Sequence, residues 1–157
     1  MPTQDNPNMK LRELDPITFP LATKFYKAAR YPSKPVTGDR VWVLEGESGA
    51  GFLAAVRFCP KITNKQTQWF LRAMVVTPSK RQQGVGRYLL QQLQPFLQEQ
   101  PVYCFALEHL ANYYQQAGFS LADIAAAPAD IKDAYARYTR QGRKIVYMVN
   151  KVMQQHV

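Results

Sequence analysis

The sequence predicts an α/β (α+β) fold built around a mixed central sheet. Three strand-like runs, at 40–46, 51–59 and 67–76, are rich in Val, Trp and Phe and have connections of hairpin length, which favours an antiparallel N-terminal meander. A helical pattern and a short apolar run at 102–107 come next, and this order indicates a βαβ unit with a right-handed crossover. Further helical patterns predict helices that flank the sheet.

The segment before the meander predicts a short strand at 9–14, after a polar leader at 1–8. Asp15 followed by Pro16 is typical of a helix start, because Asp caps the free N–H groups and proline is tolerated at the first helical position. Pro20 is expected to split this helix into two pieces. The face expected to be buried consists of Leu21, Phe25 and Ala28 or Ala29.

The second half of the chain predicts three helices and a last strand. Apolar residues recur at helical spacing from Val85 to Leu97, although Pro95 should kink or end that helix. Gly118 and Gly142 are each expected to end a helix, and 144–152 predicts the closing strand. Because the sequence has no repeat, low-complexity segment or composition break, 1–157 is expected to form a single domain.

Composition limits the classes of partner and compartment. The net charge of +9 favours an anionic partner. Cys59 and Cys104 have no CxxC neighbour, so they predict two reduced, partly buried thiols rather than a zinc site or a disulfide. With no apolar leader at the N-terminus and no apolar run of about 18 residues, the chain is expected to be cytoplasmic and not to bind a membrane.

The segment "TPSKRQQGVGRYLL" at 77–90 joins a strand to an amphipathic helix. The first N–H groups of a helix have no intrahelical partner and carry partial positive charge, so such a loop suits an anion. Gly84 and Gly86 let a phosphate approach the backbone, and Lys80, Arg81 and Arg87 add full charges.

Two common phosphate-binding motifs are excluded. The GxxxxGK[ST] pattern of ATP-binding loops is absent, and the dinucleotide fingerprint requires a third glycine where this chain has Leu89. The acidic ribose ligand about 20 residues further on is also missing, because Glu108 comes too late. ATP hydrolysis and NAD binding are therefore disfavoured.

The segment "MVVTPSKRQQGVGRYLL" resembles the acyl-CoA loop of the GNAT superfamily, the acetyl-CoA-dependent N-acetyltransferases. Its Q/R-x-x-G-x-G/A pattern is matched by "RQQGVG", with the pair Leu89-Leu90 behind it. Downstream, "ANYYQQAGF" resembles the family's A-x-x-F-Y-E-K-x-G-F segment. The predicted element order resembles the same fold over nearly the whole chain.

The resemblance implies a cosubstrate, acetyl-CoA, and a set of residues that bind it. Backbone groups at the end of the strand would contact pantetheine and the acetyl carbonyl, and N–H groups of the loop would hold the pyrophosphate. The implied binding residues are Met74, Val75, Val76, Arg81, Gln82, Gln83, Gly84, Val85, Gly86, Arg87 and Asn112. The alternative for residues 74–76 is that they are ordinary strand core. The alternative for Asn112 is that it is an ordinary residue on a helix surface.

The implied reaction is direct attack of a neutral primary amine on the thioester, without a metal. It requires a base for the amine, an N–H group near the developing oxyanion and a proton for the departing thiolate. Tyr114 aligns with the family's general acid, and Tyr113 is the second choice. Packing in the core is the alternative for Tyr114.

Neither the general base nor the acceptor can be read from the sequence. The strand before the loop lacks the glutamate that many family members carry and has Arg72 instead. The resemblance places the acceptor near 31–40 and near the aromatic residues of the central strands. The candidates for the base are Glu45, Glu47, Glu108 and His109, and the aromatic candidates for acceptor contact are Trp42, Trp69 and Phe70.

Two other functions stay open. The missing strand glutamate is compatible with a sensor that binds acyl-CoA without catalysis. The run "YARYTRQGRK" at 135–144 interleaves aromatic and basic residues, which is a weak indication of nucleic-acid binding, although such runs are more often a solvated helix face. A homodimer also stays open.

Overall fold

The computed structural model describes residues 8–63 and 65–155. Within this part of the chain, seven strands form a mixed sheet in the order β1-β2-β3-β4-β5-β7-β6. The predicted fold class is therefore confirmed. The leader predicted for 1–8 lies outside the described residues, apart from Asn8.

The strands are β1 (Lys10–Glu13), β2 (Arg40–Glu45), β3 (Phe52–Thr63), β4 (Gln66–Val76), β5 (Val102–Leu107), β6 (Phe119–Leu121) and β7 (Ile145–Asn150). The helices are α1 (Phe19–Ala28), α2 (Val85–Gln92), α3 (Gln94–Leu97), α4 (Ala111–Gln116), α5 (Ala129–Arg140) and α6 (Lys151–Gln155). Short 3-10 turns at Pro16–Thr18, Pro78–Lys80, Glu108–Leu110 and Ile124–Ala126 precede α1, α2, α4 and α5.

The chain divides into two compact units. The first comprises Met1–Cys59 with Leu71–Gln94, and the second comprises Pro60–Phe70 with Pro95–Val157. β3 and β4 contribute residues to both. The single domain expected from the sequence stays a prediction, and each unit is described by itself.

The first unit contains the antiparallel meander and α1. β1 pairs with β2 and β2 with β3, both antiparallel, as predicted. Asp15 caps the 3-10 turn before α1 by accepting a hydrogen bond from the Ile17 N–H group at 3.2 Å. Pro20 lies at the start of α1, so the split that it predicted is also confirmed.

The buried face of α1 differs from the prediction. Leu21 is 47% exposed and Ala28 is exposed, whereas Tyr26 is fully buried. Tyr26 was not expected in the core because a tyrosine side chain is partly polar. Its burial is favourable once the hydroxyl has a hydrogen-bond partner. The residues of α1 and its C-terminal flank that join the core are Phe19, Ala22, Tyr26 and Ala29.

The connection between β3 and β4 is shorter than predicted. Residues 60–66 were expected to form a loop, but β3 continues to Thr63 and β4 begins at Gln66. The turn includes Lys65, whose φ is +64°. β3 was expected to end before Pro60 because proline and lysine are both uncommon in strands.

The second unit has an aromatic interior. Phe70 stacks on Tyr103 with ring centroids 5.0 Å apart. The Phe105 ring lies edge-on to Tyr135 and Tyr138 of α5, at 5.5 and 5.6 Å. The tyrosines of the run at 135–144 are therefore half-buried against Phe105, which reduces the ring surface that nucleic-acid stacking would use.

Two elements at the end of the second unit were missed. β6 is a strand of three residues, too short for a detectable alternation. The last strand was predicted to continue to 152, but it ends at Asn150, where α6 begins. The Asn150 side chain accepts a hydrogen bond from the Met153 N–H group at 2.9 Å, and this capping contact starts the helix.

Candidate functional site

The loop between β4 and α2 is the segment for which the sequence predicts an anion site. Gly84 stands at the N-cap position of α2 in the left-handed conformation, with φ +80° and no side-chain cap. A Cβ added to Gly84 would find no atom within 4 Å, so the space above the helix start is open. Gln82 also has a positive φ, +62°. Left-handed residues in a turn of this kind direct successive N–H groups into one concavity.

The charges around the loop have one sign. Lys80, Arg81 and Arg87 are exposed, and α2 has no acidic residue in its first turn. Val85 is buried, so its side chain belongs to the core and only its backbone is suited to contact an anion. A helix N-terminus without a cap or a neighbouring carboxylate attracts a negatively charged group.

Residues 74–76 form the end of β4 and lie in the same unit as the loop. Val75 is buried and its two neighbours are half-buried. The Nε–H group of Arg81 donates to the Val76 carbonyl at 3.2 Å. The structure therefore brings two of the predicted segments, the strand end and the loop, into direct contact.

A backbone irregularity just before this strand end was missed by the sequence analysis. Ala73 has φ +53°, a conformation that costs a residue other than glycine about 1–2 kcal/mol. The buried hydroxyl of Tyr26 donates to the Ala73 carbonyl at 2.7 Å. Burial raises the pKa of Tyr26 well above its usual range, so the hydroxyl keeps its proton for this bond.

Replacing Tyr26 by phenylalanine is expected to lower the free energy of unfolding by about 1–2 kcal/mol, because a buried carbonyl loses its partner. The backbone of residues 74–76 should also become less fixed. Urea unfolding and the affinity for coenzyme A measure the two effects. Tyr31→Phe is the control, because Tyr31 contacts the Tyr26 ring but is 45% exposed. Equal stability of the two variants would contradict this role for Tyr26.

A buried ion pair holds the loop at 31–40. The Nε–H and Nη2–H groups of Arg57 both donate to Oδ2 of Asp39, at 3.1 and 2.8 Å, and Nη1–H donates to the Ser33 hydroxyl at 2.8 Å. The side chains of Arg57 and Asp39 are 6% and 1% exposed. Oδ2 of Asp39 also accepts from the Val36 N–H group at 3.0 Å. One carboxylate oxygen therefore ties the loop at 31–40 to β3.

Asp39→Ala is expected to lower the free energy of unfolding by about 3–5 kcal/mol, because it leaves a buried guanidinium without a counter-charge. Glu13→Ala is the control, since the Glu13–Arg40 pair is about one third exposed and such pairs contribute about 0–1 kcal/mol. Chemical denaturation measures both. Similar losses in the two variants would show that burial does not distinguish these pairs.

The second unit contains Tyr114 and Asn112, both on α4. Tyr114 is 7% exposed, and its ring lies edge-on to Tyr113 at 5.4 Å and to Phe119 at 5.9 Å. Asn112 is exposed. The Tyr114 ring is therefore fixed by its own helix and by β6, both of which belong to the second unit.

The four candidates for the general base have different surroundings. Glu45 pairs with Arg12 at 2.6 Å, which engages its carboxylate, and Glu47 is exposed in the β2–β3 turn. Glu108 and His109 line one cavity of about 340 Å³ in the second unit, together with Leu107 and Lys144. Two of the four candidates are thus adjacent, at the turn that leads from β5 into α4.

Two of the aromatic candidates for acceptor contact are packing residues. Phe70 is buried on Tyr103. Trp69 packs edge-on against Phe96 at 6.0 Å, and its Nε1–H group donates to the Gln100 side-chain oxygen at 3.3 Å. Trp42 contacts a charged group instead, because the Arg40 guanidinium lies 5.6 Å from the centre of its ring.

Both cysteines are buried free thiols, as predicted. Burial raises the pKa of Cys59 to about 11 and that of Cys104 still further. Neutral thiols of this kind are inert. Among the described residues there is no group of three or more His, Cys, Asp and Glu that could hold a metal ion, and no helix in this part of the chain is long and apolar enough to cross a membrane.

A comparison with protein families identifies the chain. The model of the acetyltransferase (GNAT) domain matches residues 37–121, which is more than half of the sequence. The chain belongs to the GNAT acetyltransferase family. The matched range contains both segments singled out above, the loop at 77–90 and the segment at 111–119. No curated protein sequence is significantly similar to this GNAT domain.

Solved structures share the GNAT fold at low sequence identity. A putative N-acetyltransferase from Lactobacillus plantarum is 13% identical with a TM-score of 0.63, and the match covers 90% of this chain and 97% of that one. N-acetylglutamate synthase from Neisseria gonorrhoeae, complexed with coenzyme A and N-acetyl-glutamate, is 13% identical with a TM-score of 0.63, covering 93% of this chain and 35% of that one. Naa50 from Arabidopsis thaliana, in complex with the bisubstrate analogue CoA-Ac-MVNAL, is 11% identical with a TM-score of 0.57, covering 90% and 97%. At these identities the likeness shows the fold.

Proposed function

We propose that this GNAT domain is an N-acetyltransferase that transfers the acetyl group of acetyl-CoA to a primary amine by direct attack. The observation that carries the proposal is the open, uncapped start of α2, with Gly84 in the left-handed conformation and cations on both sides. Such a site suits a pyrophosphate. Family membership supports coenzyme A as its source.

In this proposal the loop residues Arg81, Gln82, Gln83, Gly84, Val85, Gly86 and Arg87 hold the pyrophosphate, chiefly through their N–H groups. Backbone groups of residues 74–76 would contact pantetheine and the acetyl carbonyl. The irregularity at Ala73 supports this assignment, because a left-handed residue locally re-aims the backbone of a strand. The neighbour from Neisseria gonorrhoeae binds coenzyme A, which agrees with the proposed cosubstrate.

The chemistry requires the amine nitrogen to attack the thioester carbon and the carbon–sulfur bond to break. Tyr114 is proposed to donate its hydroxyl proton to the departing thiolate. A tyrosine suits this role, because a phenol keeps its proton near neutral pH. Glu108 and His109 are the proposed sources of the base, since they precede the same helix and line one cavity.

The acceptor is proposed to be a primary amine on an amino acid, a protein or a small molecule. The neighbours with bound ligands carry N-acetyl-glutamate in one case and a bisubstrate analogue with the sequence MVNAL in another, so both types of acceptor occur on this fold. The net charge of +9 disfavours polyamines, which a positive surface repels. The site is proposed to act in the cytoplasm.

A thiol-release assay with pools of amino acids, peptides and amino sugars tests the proposal. Release of the coenzyme A thiol that depends on one pool, and that Gly84→Glu abolishes, is the expected result. The alternative is an acyl-CoA sensor, which would bind acetyl-CoA without turnover. Measurable binding of acetyl-CoA together with no release above hydrolysis in any pool would favour the sensor and overturn the enzyme.

A further inference from the structure

The second unit contains a groove that the proposed acetyl transfer does not use. Its volume is about 960 Å³, and it is lined by residues of β6 and the turn that follows, the start of α5, β7, α6 and the hairpin ends of β3 and β4. Neither the loop at 81–87 nor Tyr114 or Asn112 is among its lining residues. A cavity of this size is large enough for a small organic ligand.

Two buried oxygen atoms of lining residues have no hydrogen-bond partner among the described residues. Gln68 is 4% exposed, and its Oε1 atom accepts no hydrogen bond. The hydroxyl of Thr63, at the hairpin end of β3, is also buried without a partner. Because native structures pair almost all buried polar atoms, each exception calls for an explanation. A ligand that donates hydrogen bonds would satisfy the Gln68 oxygen.

Among the described residues, the two charged side chains that line the groove are both acidic. They are Asp123 and Asp130, in a chain whose net charge is +9. One carboxylate oxygen of Asp123 accepts from the Ala125 N–H group at 3.0 Å, and Asp130 lies in the first turn of α5, where it complements the helix dipole. Since an ionised carboxylate accepts about four hydrogen bonds, both retain capacity for a donor.

The field of Asp130 extends into the groove. Burial first, and then the charge of Asp130, raise the pKa of Tyr147 to about 12, and the Tyr147 side chain lines the groove. The charge of Asp130 disfavours a second negative charge beside it, so an anionic ligand in the groove would be repelled.

The remaining lining side chains are mostly apolar. Leu121 is 56% exposed although it belongs to strand β6, and Met153 and Val149 are buried beside the groove. An exposed leucine next to a concave apolar wall favours a ligand with a hydrocarbon body. The groove thus combines an apolar wall with acceptors and negative charge.

We propose that this groove binds a primary alkylammonium ion. Its –NH₃⁺ head has three donors and no acceptor, which matches the Gln68 oxygen and the two carboxylates. Its hydrocarbon chain matches Leu121 and Met153. The proposal does not rest on acetyl transfer, because the groove shares no residue with the proposed coenzyme A contacts.

Titration of the full chain with hexylammonium, followed by two-dimensional NMR, tests the proposal. Hexanol and hexanoate are the matched probes, because they have the same hydrocarbon chain as hexylammonium and differ from it only in the polar head group. Hexylammonium is expected to shift the resonances of groove residues and to bind about tenfold more tightly than hexanol, since hydrogen bonds to ionised groups are roughly twice as strong as neutral ones. Hexanoate is expected not to bind. Hexanol or hexanoate binding as tightly as the amine would overturn the proposal.

Two variants localise the site. Asp130→Asn is expected to weaken hexylammonium binding about tenfold, whereas Asp133→Asn, the same change on the same helix outside the groove lining, should stay within about twofold. Gln68→Leu should weaken binding and raise the Tm of the free protein, because it removes an unpaired buried oxygen. Equal effects of the two aspartate changes, or a lower Tm for Gln68→Leu with unchanged affinity, would contradict the proposal.

Discussion

Replacing Gly84 by glutamate is expected to abolish acetyl-CoA binding, with the affinity falling at least about 100-fold, or ~2.7 kcal/mol. Gly84 occupies the N-cap position of α2, and the space above it is empty. The added carboxylate would fill the position proposed for the pyrophosphate and repel it. Isothermal titration calorimetry with acetyl-CoA measures the loss.

Gly49→Glu is the matched control for this substitution. Gly49 has φ +87° and also no atom within 4 Å of an added Cβ, so the two variants share the same backbone strain and the same added charge. Gly49 lies in the β2–β3 turn, outside the proposed contacts. Loss of binding in Gly84→Glu alone supports the loop assignment, and unchanged affinity in a folded Gly84→Glu protein would show that coenzyme A binds elsewhere.

Tyr114→Phe is expected to lower kcat about 100-fold or more with the best amine pool, because general acid catalysis contributes about 10²–10⁴-fold. The KM for acetyl-CoA should change little, since the ring and its edge-on contacts with Tyr113 and Phe119 are kept. Steady-state kinetics by thiol release measures both quantities. The circular dichroism spectrum should match that of the wild type.

Tyr113→Phe serves as the control for the proposed acid, because it removes the neighbouring hydroxyl on the same helix. It should leave kcat within about threefold of the wild type, if the proton comes from Tyr114 alone. The reverse result, a large loss in Tyr113→Phe and a small loss in Tyr114→Phe, would transfer the role to Tyr113. Two small losses would show that neither phenol donates the proton.

Most of the fold could be predicted because its signals are local. The continuous apolar run in β2, the proline at the break between α2 and α3, and the glycines after α4 and α5 each act within a few residues. The face of α1 was predicted only in part: Phe25 and Ala29 pack in the core, but Tyr26 was missed because its burial depends on a hydrogen bond to Ala73, 47 positions away. β6 was missed because a strand of three residues is too short to show an alternation of apolar and polar positions.

The candidate site was predictable in part for the same reason. Gly84 marks the loop because the turn into α2 uses its left-handed conformation, which a glycine adopts without strain. The left-handed conformation of Ala73 could not be predicted, because alanine is not a residue type that usually adopts it. The Asp39–Arg57 pair was likewise invisible, since nothing in the sequence links two charges 18 positions apart.

The strand order of the second unit has a consequence for synthesis on the ribosome. β7 pairs with both β5 and β6, yet it is made after both of them. Until it emerges, the backbone groups of β5 and β6 that it pairs with have no partner, and unpaired strand edges favour contact with other chains. Asn150 then closes the arrangement, because its side chain accepts from the Val102 N–H group and donates to the carbonyls of Leu97 and Gln100. The nascent second unit therefore has unpaired strand edges until β7 has been made.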